Sequence, residues 1–254
     1  QWSLNTLWHL VYPEITEEFI NCMLQMYDDG GLIPRGPSGG NYTYVMTGAA
    51  TTPFITSAYL KGIKGFDINK AYEGMRKDHF PGGMMSKAGY EHTTFKGGGI
   101  EEYMDLGYVP FPLTPIKYGF HQDGAAQTLE YAYQDYALAQ MAKVLNKKQD
   151  YDLFSGRANN YKNLFNKEIG WMWSKNKKGE WNQPIDILDY EKGWVEGNAA
   201  QYTWFVPHDV PGLINLMGGN DAFTTKLNES FTKARVHNFV SGKSENPVDQ
   251  KLIR

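Results

Sequence analysis

The sequence predicts an all-α protein of seven or eight helices. Apolar residues recur at helical spacing along most of the chain, and glycine pairs and prolines separate these segments. Strand-like patterns are short, as in Tyr108–Phe111, which a proline interrupts. With 41% hydrophobic and 21% charged residues among 254, the composition is that of a globular protein with a substantial core.

The predicted helices can be followed along the chain. The first begins at Pro13, with acidic residues in its first turn that suit the positive end of the helix dipole, and a glycine pair ends it. Ile15, Phe19, Cys22, Met23 and Met26 recur at helical spacing, which predicts that they face the core. The later helices are predicted at about 52–61, 68–77, 100–106, 124–145, 150–165, 198–217 and 222–234.

The arrangement of these helices indicates an architecture. Sequential helix pairs joined by long loops fit an α/α toroid, in which the pairs surround a central cleft. A helical bundle or solenoid is the competing architecture. The longest loop, over 81–99, is rich in glycine, and loops of that length are usually functional or mobile.

Charge and cysteine content exclude several classes of protein. There are 25 Lys and Arg against 28 Asp and Glu, so the net charge of −3 excludes nucleic-acid binding through bulk positive charge. No apolar run is long enough to span a membrane. One cysteine, Cys22, excludes an internal disulfide and a multi-cysteine zinc site, and we expect it to be a small buried apolar residue.

Carboxylates beside aromatic residues are the remaining candidates for chemistry. The sequence contains no phosphate loop, dinucleotide-binding fingerprint, H-E-x-x-H motif or nucleophile elbow. Glu130 stands in a predicted helix between Tyr131 and Tyr133, and Glu196 precedes Gly197, which permits a sharp turn. Aromatic neighbours would exclude water from such a carboxyl group, as the acid of a glycoside hydrolase requires. The competing interpretation is a structural glutamate in a helix or at a helix cap.

Other polar residues and the aromatic content leave alternatives open. The pair His208-Asp209 could orient a side chain or bind a metal, although such pairs are more often structural. The loop acids Asp186, Asp189 and Glu191 are either solvated or a cation site. Aromatic residues make up 15% of the chain, which suits either stacking on sugar rings or filling of the core.

A longer motif gives a specific resemblance. The run from Glu196 to Val210, EGNAAQYTWFVPHDV, resembles the signature of glycoside hydrolase family 92, a family of calcium-dependent, inverting exo-α-mannosidases. The segments that also resemble this family are Ala58–Ile63, Phe66-Asp67, Leu106–Pro110, Thr128–Tyr133, Asn160–Phe165 and Gly212–Gly219. They follow the family's order from about Pro13 to Phe231.

The resemblance implies a fold and a set of site residues. In family members, an (α/α)6 toroid follows a β-sandwich domain along the chain. Residues 1–254 would therefore form a single domain that is an incomplete part of that toroid. The sandwich domain and the C-terminal part of the toroid would be absent. Glu196 would be the general acid that protonates the leaving mannoside oxygen. The implied substrate-binding residues are Glu130, Asn198, Gln201 and His208.

Departures from the family pattern imply a limit on activity. The family's general base and a calcium-holding segment have no counterpart here, and Gly219–Asp221 resembles the base motif only superficially. We therefore expect Ca²⁺ as a cofactor with ligands largely outside this chain, and no activity from the 254 residues alone. The expected partners are mannose-containing glycans, and the expected location is secreted or periplasmic. A non-catalytic glycan-binding or structural helical domain is the alternative.

Overall fold

Helices dominate the part of the chain that is described. The computed structural model describes residues 2–38, 41–88, 97–113, 123–189 and 192–234. The α-helices in these ranges are α1 (Trp2–Val11), α2 (Pro13–Gly30), α3 (Thr51–Leu60), α4 (Ile68–Asp78), α5 (Ile100–Leu106), α6 (Gly124–Val144), α7 (Lys148–Arg157), α8 (Ala199–Tyr202), α9 (Val210–Leu216) and α10 (Asn220–Ala234). The strands form two antiparallel pairs of two residues each, β1 (Pro37–Ser38) with β2 (Asn41–Tyr42) and β3 (Phe165–Asn166) with β4 (Trp171–Met172). The prediction of an all-α protein is confirmed.

Helix boundaries follow local signals in the sequence. The predictions for α3, α4, α5, α6 and α10 agree with the structure to within two residues. Asp67 caps α4, because its carboxylate accepts hydrogen bonds from the backbone N–H groups of Asn69 and Lys70, both at 3.0 Å. The helix α5 lies between Gly99 and Gly107, which both have left-handed backbone conformations.

Two predicted helices are each divided in the structure. The prediction for 150–165 becomes α7 and a 3₁₀ helix over Asn160–Leu164. The side chain of Asn159 donates to the carbonyl of Ser155 at 2.9 Å, a local bond that competes with helical hydrogen bonding. The prediction for 198–217 becomes α8 and α9, because Pro207 has no N–H group with which to continue the helix.

The predicted inner face of α2 is correct at Met23 and wrong at Ile15, Phe19 and Cys22. The residues of α2 that are buried are Thr16, Ile20, Met23 and Leu24. In contrast, Ile15 and Phe19 are 40% and 39% exposed, and Cys22 is exposed. The true face includes a threonine, whose hydroxyl group donates to the carbonyl of Tyr12 at 3.4 Å and so meets its hydrogen-bonding need within the helix.

The longest of these helices, α6, forms the centre of the core. Most of its 21 residues are buried, including six alanines whose small side chains allow neighbouring helices to approach closely. One half of α6 packs in a cluster with α2, α3, α4 and α7, and the other half packs with the region from Tyr161 to Leu213. No helix of the described part is both long and apolar enough to span a bilayer.

A buried polar network connects α6 with its neighbours through Asp135. Its carboxylate accepts hydrogen bonds from His79 Nδ1 at 2.7 Å, Arg157 Nε at 2.8 Å and Tyr103 Oη at 3.0 Å. On the other edge of the imidazole, Nε2 lies 3.0 Å from the Thr52 hydroxyl group. Desolvation lowers the pKa of His79, so the ring is neutral at pH 7 and Arg157 supplies the charge that balances Asp135.

We expect Asp135→Ala to lower the free energy of unfolding by about 3–5 kcal/mol, because it leaves the Arg157 charge buried without its partner. Urea unfolding followed by circular dichroism measures this change. The matched control is Asp152→Ala, which removes an exposed ion pair with Lys148 and should cost less than about 1 kcal/mol. Equal effects of the two substitutions would contradict a special role for the buried network.

Candidate active site

A cleft of about 680 Å³ opens beside the N-terminal half of α6. Its walls come from α1, from the loop that precedes α3, from α3 itself and from α6. The polar residues that line it include Asn5, Thr6, His9, Arg35, Thr43, Thr47, Ser57, Glu130 and Gln134, and the aromatic residues are Phe54 and Tyr133. Polar groups beside aromatic faces are suited to a ligand that carries both hydroxyl groups and apolar C–H surface.

Arg35 fixes the loop wall of this cleft. The side chain is buried, and all five N–H groups of its guanidinium donate to backbone carbonyl oxygens. The acceptors are Tyr44, Met46, Gly48, Met84 and Lys87. Burial lowers the pKa of Arg35 to about 10, so the side chain remains charged at neutral pH. Sequence reasoning missed this residue, although a lone arginine within a loop of glycine, proline and serine was a signal.

Glu130 lies half-buried in the cleft, and its contact with substrate stays a prediction. Its Oε2 atom accepts a hydrogen bond from Gln134 Nε2 at 3.0 Å. The amide of Gln134 is held in turn, because its Oε1 atom accepts from the backbone N–H of Ala49 at 2.7 Å. Burial raises the pKa of Glu130 to about 7, against the smaller opposing effects of the Gln134 hydrogen bond and the Arg35 charge.

The close approach of Gln134 requires glycine at position 48. The backbone of Gly48 has a φ of 74°, and a Cβ atom at this position would lie 2.3 Å from Gln134 Oε1. Any other residue would therefore displace the amide that holds Glu130.

Glu196, the predicted general acid, is on a tight turn before α8. Its φ of 48° is in the left-handed region, which is rare for a residue other than glycine. Its side chain is exposed, so the expectation that aromatic neighbours exclude water from it is wrong for the described part of this chain. Glu196 is not among the residues that line the cleft.

Buried neighbours hold the turn at Glu196 on both sides. Trp194 is fully buried, and its ring lies 5.4 Å from that of Tyr202, whose hydroxyl group donates to the carbonyl of Val195 at 2.6 Å. The carbonyl of Gly193 accepts from the N–H of Ala126 at 3.0 Å, which ties the segment to the first turn of α6.

Asn198 and Gln201, two predicted substrate-binding residues, form the cap of α8. The side-chain oxygen of Asn198 accepts from the N–H of Gln201, and the side-chain oxygen of Gln201 accepts from the N–H of Asn198, both at 3.1 Å. This reciprocal pair is a capping box. Asn198 is buried and Gln201 is half-buried, and their contact with substrate stays a prediction.

His208 packs behind the cleft in an aromatic cluster. Its Nε2 atom donates to the carbonyl of Ala158 at 2.9 Å, and its ring centroid lies 5.4, 5.6 and 6.2 Å from those of Tyr161, Tyr136 and Tyr133. Desolvation lowers its pKa. These contacts are those of a structural residue, while a substrate contact stays a prediction. Tyr133 also lines the cleft, so it connects the cleft with the segment that follows Glu196.

The described residues do not form a metal site. Within the described ranges, no group of three or more His, Cys, Asp or Glu side chains is placed to hold a metal ion. In the acidic loop, Asp189 pairs with Lys192 and Asp186 accepts from the N–H of Leu188 at 3.0 Å, while Glu191 lies outside the described residues. The described acidic residues of this loop, Asp186 and Asp189, therefore do not fit Ca²⁺ as a set of ligands.

Comparison with known proteins defines the family. Residues 1–251 match the model of the glycosyl hydrolase family 92 catalytic domain, so the chain belongs to this family. A protein of Arthroderma benhamiae, described as an uncharacterized secreted glycosidase, is 25% identical over an alignment of 249 residues that covers 88% of this chain and 31% of that protein.

Two solved structures from Bacteroides thetaiotaomicron are similar. One, a family 92 inverting mannosidase, has 30% identity and a TM-score of 0.78 over 98% of this chain and 32% of its own. The other, a family 92 α-mannosidase in complex with mannoimidazole, has 33% identity and a TM-score of 0.76 over 90% of this chain and 29% of its own. The prediction of a toroid-like fold is confirmed, and the chain spans about a third of the length of these relatives.

We expect Glu196→Gly to leave the free energy of unfolding unchanged or to raise it by up to about 1 kcal/mol. Glycine adopts the left-handed conformation without strain, and this gain should equal or exceed the extra backbone entropy that glycine loses on folding. Asn146→Gly is the matched control at a φ of 56°, and its gain should be smaller because asparagine tolerates this region. Thermal and urea unfolding measure both changes. A clear loss of stability in Glu196→Gly would mean that the Glu196 side chain stabilises the fold.

Proposed function

We propose that the protein to which this chain belongs hydrolyses terminal α-mannosidic linkages with inversion, and that Glu196 is its general acid. The observation that carries the proposal is the placement of Glu196, whose exposed carboxyl group stands on a strained turn between the buried residues Trp194 and Asn198. Backbone strain of this kind is found mainly at functional sites, where surrounding structure maintains it. Family membership and the similarity to two solved family 92 mannosidases support the proposal.

The chemistry needs a second carboxylate. In an inverting glycosidase one carboxylic acid protonates the leaving oxygen, while a carboxylate about 6.5–9.5 Å away activates water on the opposite face of the sugar. We assign the acid to Glu196 and expect the base to come from residues outside this chain. Because the described residues do not fit a metal ion, no step is assigned to Ca²⁺ here, and its ligands are expected outside the chain.

The cleft is the proposed site for the mannoside ring. Tyr133 and Phe54 supply aromatic faces, and Glu130 and Ser57 supply polar groups. The expected substrates are mannose-containing glycans outside the cell, since the Arthroderma benhamiae relative is described as secreted. Binding of a glycan without hydrolysis is the second candidate function, because Glu196 is not among the residues lining the cleft.

We expect the 254-residue chain alone to release no mannose from α-1,2-mannobiose, with or without added calcium, because we expect the general base to come from residues outside it. Mannose release is measured by chromatography, with circular dichroism to verify the helical fold. Release that EDTA abolishes would contradict this expectation and mean that the base and the calcium ligands are within these residues.

In an active protein that includes this chain, we expect Glu196→Gln to lower kcat for α-1,2-mannobiose by about 10²–10⁴-fold, because the amide cannot protonate the leaving oxygen. The loss should be much smaller with dinitrophenyl α-mannoside, whose leaving group needs no proton. Glu168→Gln, at an exposed glutamate, is the matched control. Equal losses with both substrates would show that Glu196 is not the general acid. The stereochemistry is a separate test, in which NMR detection of β-mannose as the first product would establish inversion.

A further inference from the structure

The carboxyl group of Glu130 has an unused oxygen at the cleft. Gln134 supplies a hydrogen bond to Oε2, while Oε1 has no hydrogen-bond partner within the described part of the chain. Since Glu130 lines the cleft, a ligand there can meet this carboxyl group directly. The side chain of Gln134 cannot turn to serve both oxygens, because Ala49 and the close backbone of Gly48 hold its amide in place.

Among the described residues, no charged or titratable neighbour of Glu130 forms an ion pair with it. From the loop, Arg35 uses all five of its N–H groups on backbone carbonyls, so it acts on Glu130 only at a distance. From α1, His9 has a lowered pKa through burial and the charge of Lys61, so it is neutral at pH 7. From α6, burial raises the pKa values of Tyr131 and Tyr133 to about 12, so both phenols are neutral as well. The residues of α3 that line the cleft are not titratable.

A ligand in the cleft changes the balance between the two forms of Glu130. Within the described part of the chain no cation contacts the carboxylate, so its solvation comes from water that reaches the cleft. A sugar ring that fills the cleft removes part of this water, which disfavours the charged form. Burial already raises the pKa of Glu130 to about 7, so both forms are populated near neutral pH and a modest further change moves a proton.

We propose that Glu130 binds a mannoside hydroxyl group in its neutral, protonated form, and that occupation of the cleft therefore takes up a proton. This inference rests on the proposed sugar-binding function of the cleft. The linkage has a definite sign: binding raises the pKa of Glu130, so protons are taken up between the free and the bound pKa values. Affinity is highest below the free pKa and falls as the pH rises, with Kd approaching a tenfold increase per pH unit above about pH 7.

The test is isothermal titration calorimetry of the 254-residue chain with methyl α-mannoside at pH 7.5. Buffers with different ionisation enthalpies report the number of protons taken up for each ligand bound. We expect uptake by the original chain and none by Glu130→Gln, whose amide donates a hydrogen bond without titrating and whose Kd should not change from pH 6 to 8.5. Glu101→Gln, at an exposed glutamate of α5, should behave like the original chain.

A second measurement keeps the inference testable if Glu130→Gln does not fold. Carboxyl ¹³C NMR of the original chain should show a glutamate resonance that titrates near neutral pH and whose midpoint rises when methyl α-mannoside is added. A midpoint that does not move, or mannoside binding without proton uptake, would overturn the role of Glu130 and leave the proposed function intact. Absence of binding at every pH would overturn both the sugar-binding cleft and this inference, while the hydrolysis assays with Glu196→Gln would still decide the reaction.

Discussion

The carboxylate of Asp135 is the interaction on which the helical arrangement depends. One buried group on α6 joins His79 at the end of α4, Tyr103 on α5 and Arg157 at the end of α7, and His79 extends the network to Thr52 on α3. The hydrogen bonds around this one carboxylate therefore connect five helices. Apolar contacts tolerate small sliding movements, whereas directed hydrogen bonds to a single carboxylate fix both the position and the rotation of each helix.

Two acidic residues on α6 show how environment decides the behaviour of a side chain. Asp135 is buried and forms an ion pair with Arg157. Glu130, five positions earlier, has no cationic partner within the described residues, and burial raises its pKa to about 7. Because the Asp135 network fixes the rotation of α6, it also determines that Glu130, Tyr133 and Gln134 face the cleft. The stability of the fold and the chemistry of the cleft are thus coupled through one helix.

Sequence patterns predicted the elements better than the contacts between them. Strong helical spacing located α6, and the predicted bounds of α4 and α5 agree with the structure, in which Asp67 caps α4 and glycines flank α5. Part of the inner face of α2 was missed because exposed apolar residues such as Ile15 and Phe19 have the same spacing as the buried ones. The family motif singled out Glu196 as the expected general acid, but the exposure of the Glu196 side chain depends on tertiary structure and could not be predicted from the motif. A lone arginine in a loop of glycine, proline and serine marked Arg35 as unusual, but its five acceptors are backbone atoms with no sequence signature, so the partners could not be predicted.

The backbone bonds of Arg35 have a consequence for the thermodynamics of the cleft. If the loop moved outward, a buried guanidinium would lose its acceptors and remain as an unpaired charge. The loop wall is therefore already in its final position before any ligand arrives. Binding to a preorganised cleft costs the protein less conformational entropy than binding that must order a flexible loop. The affinity of the cleft for a small polar sugar then depends chiefly on the hydrogen bonds and ring contacts that the sugar makes.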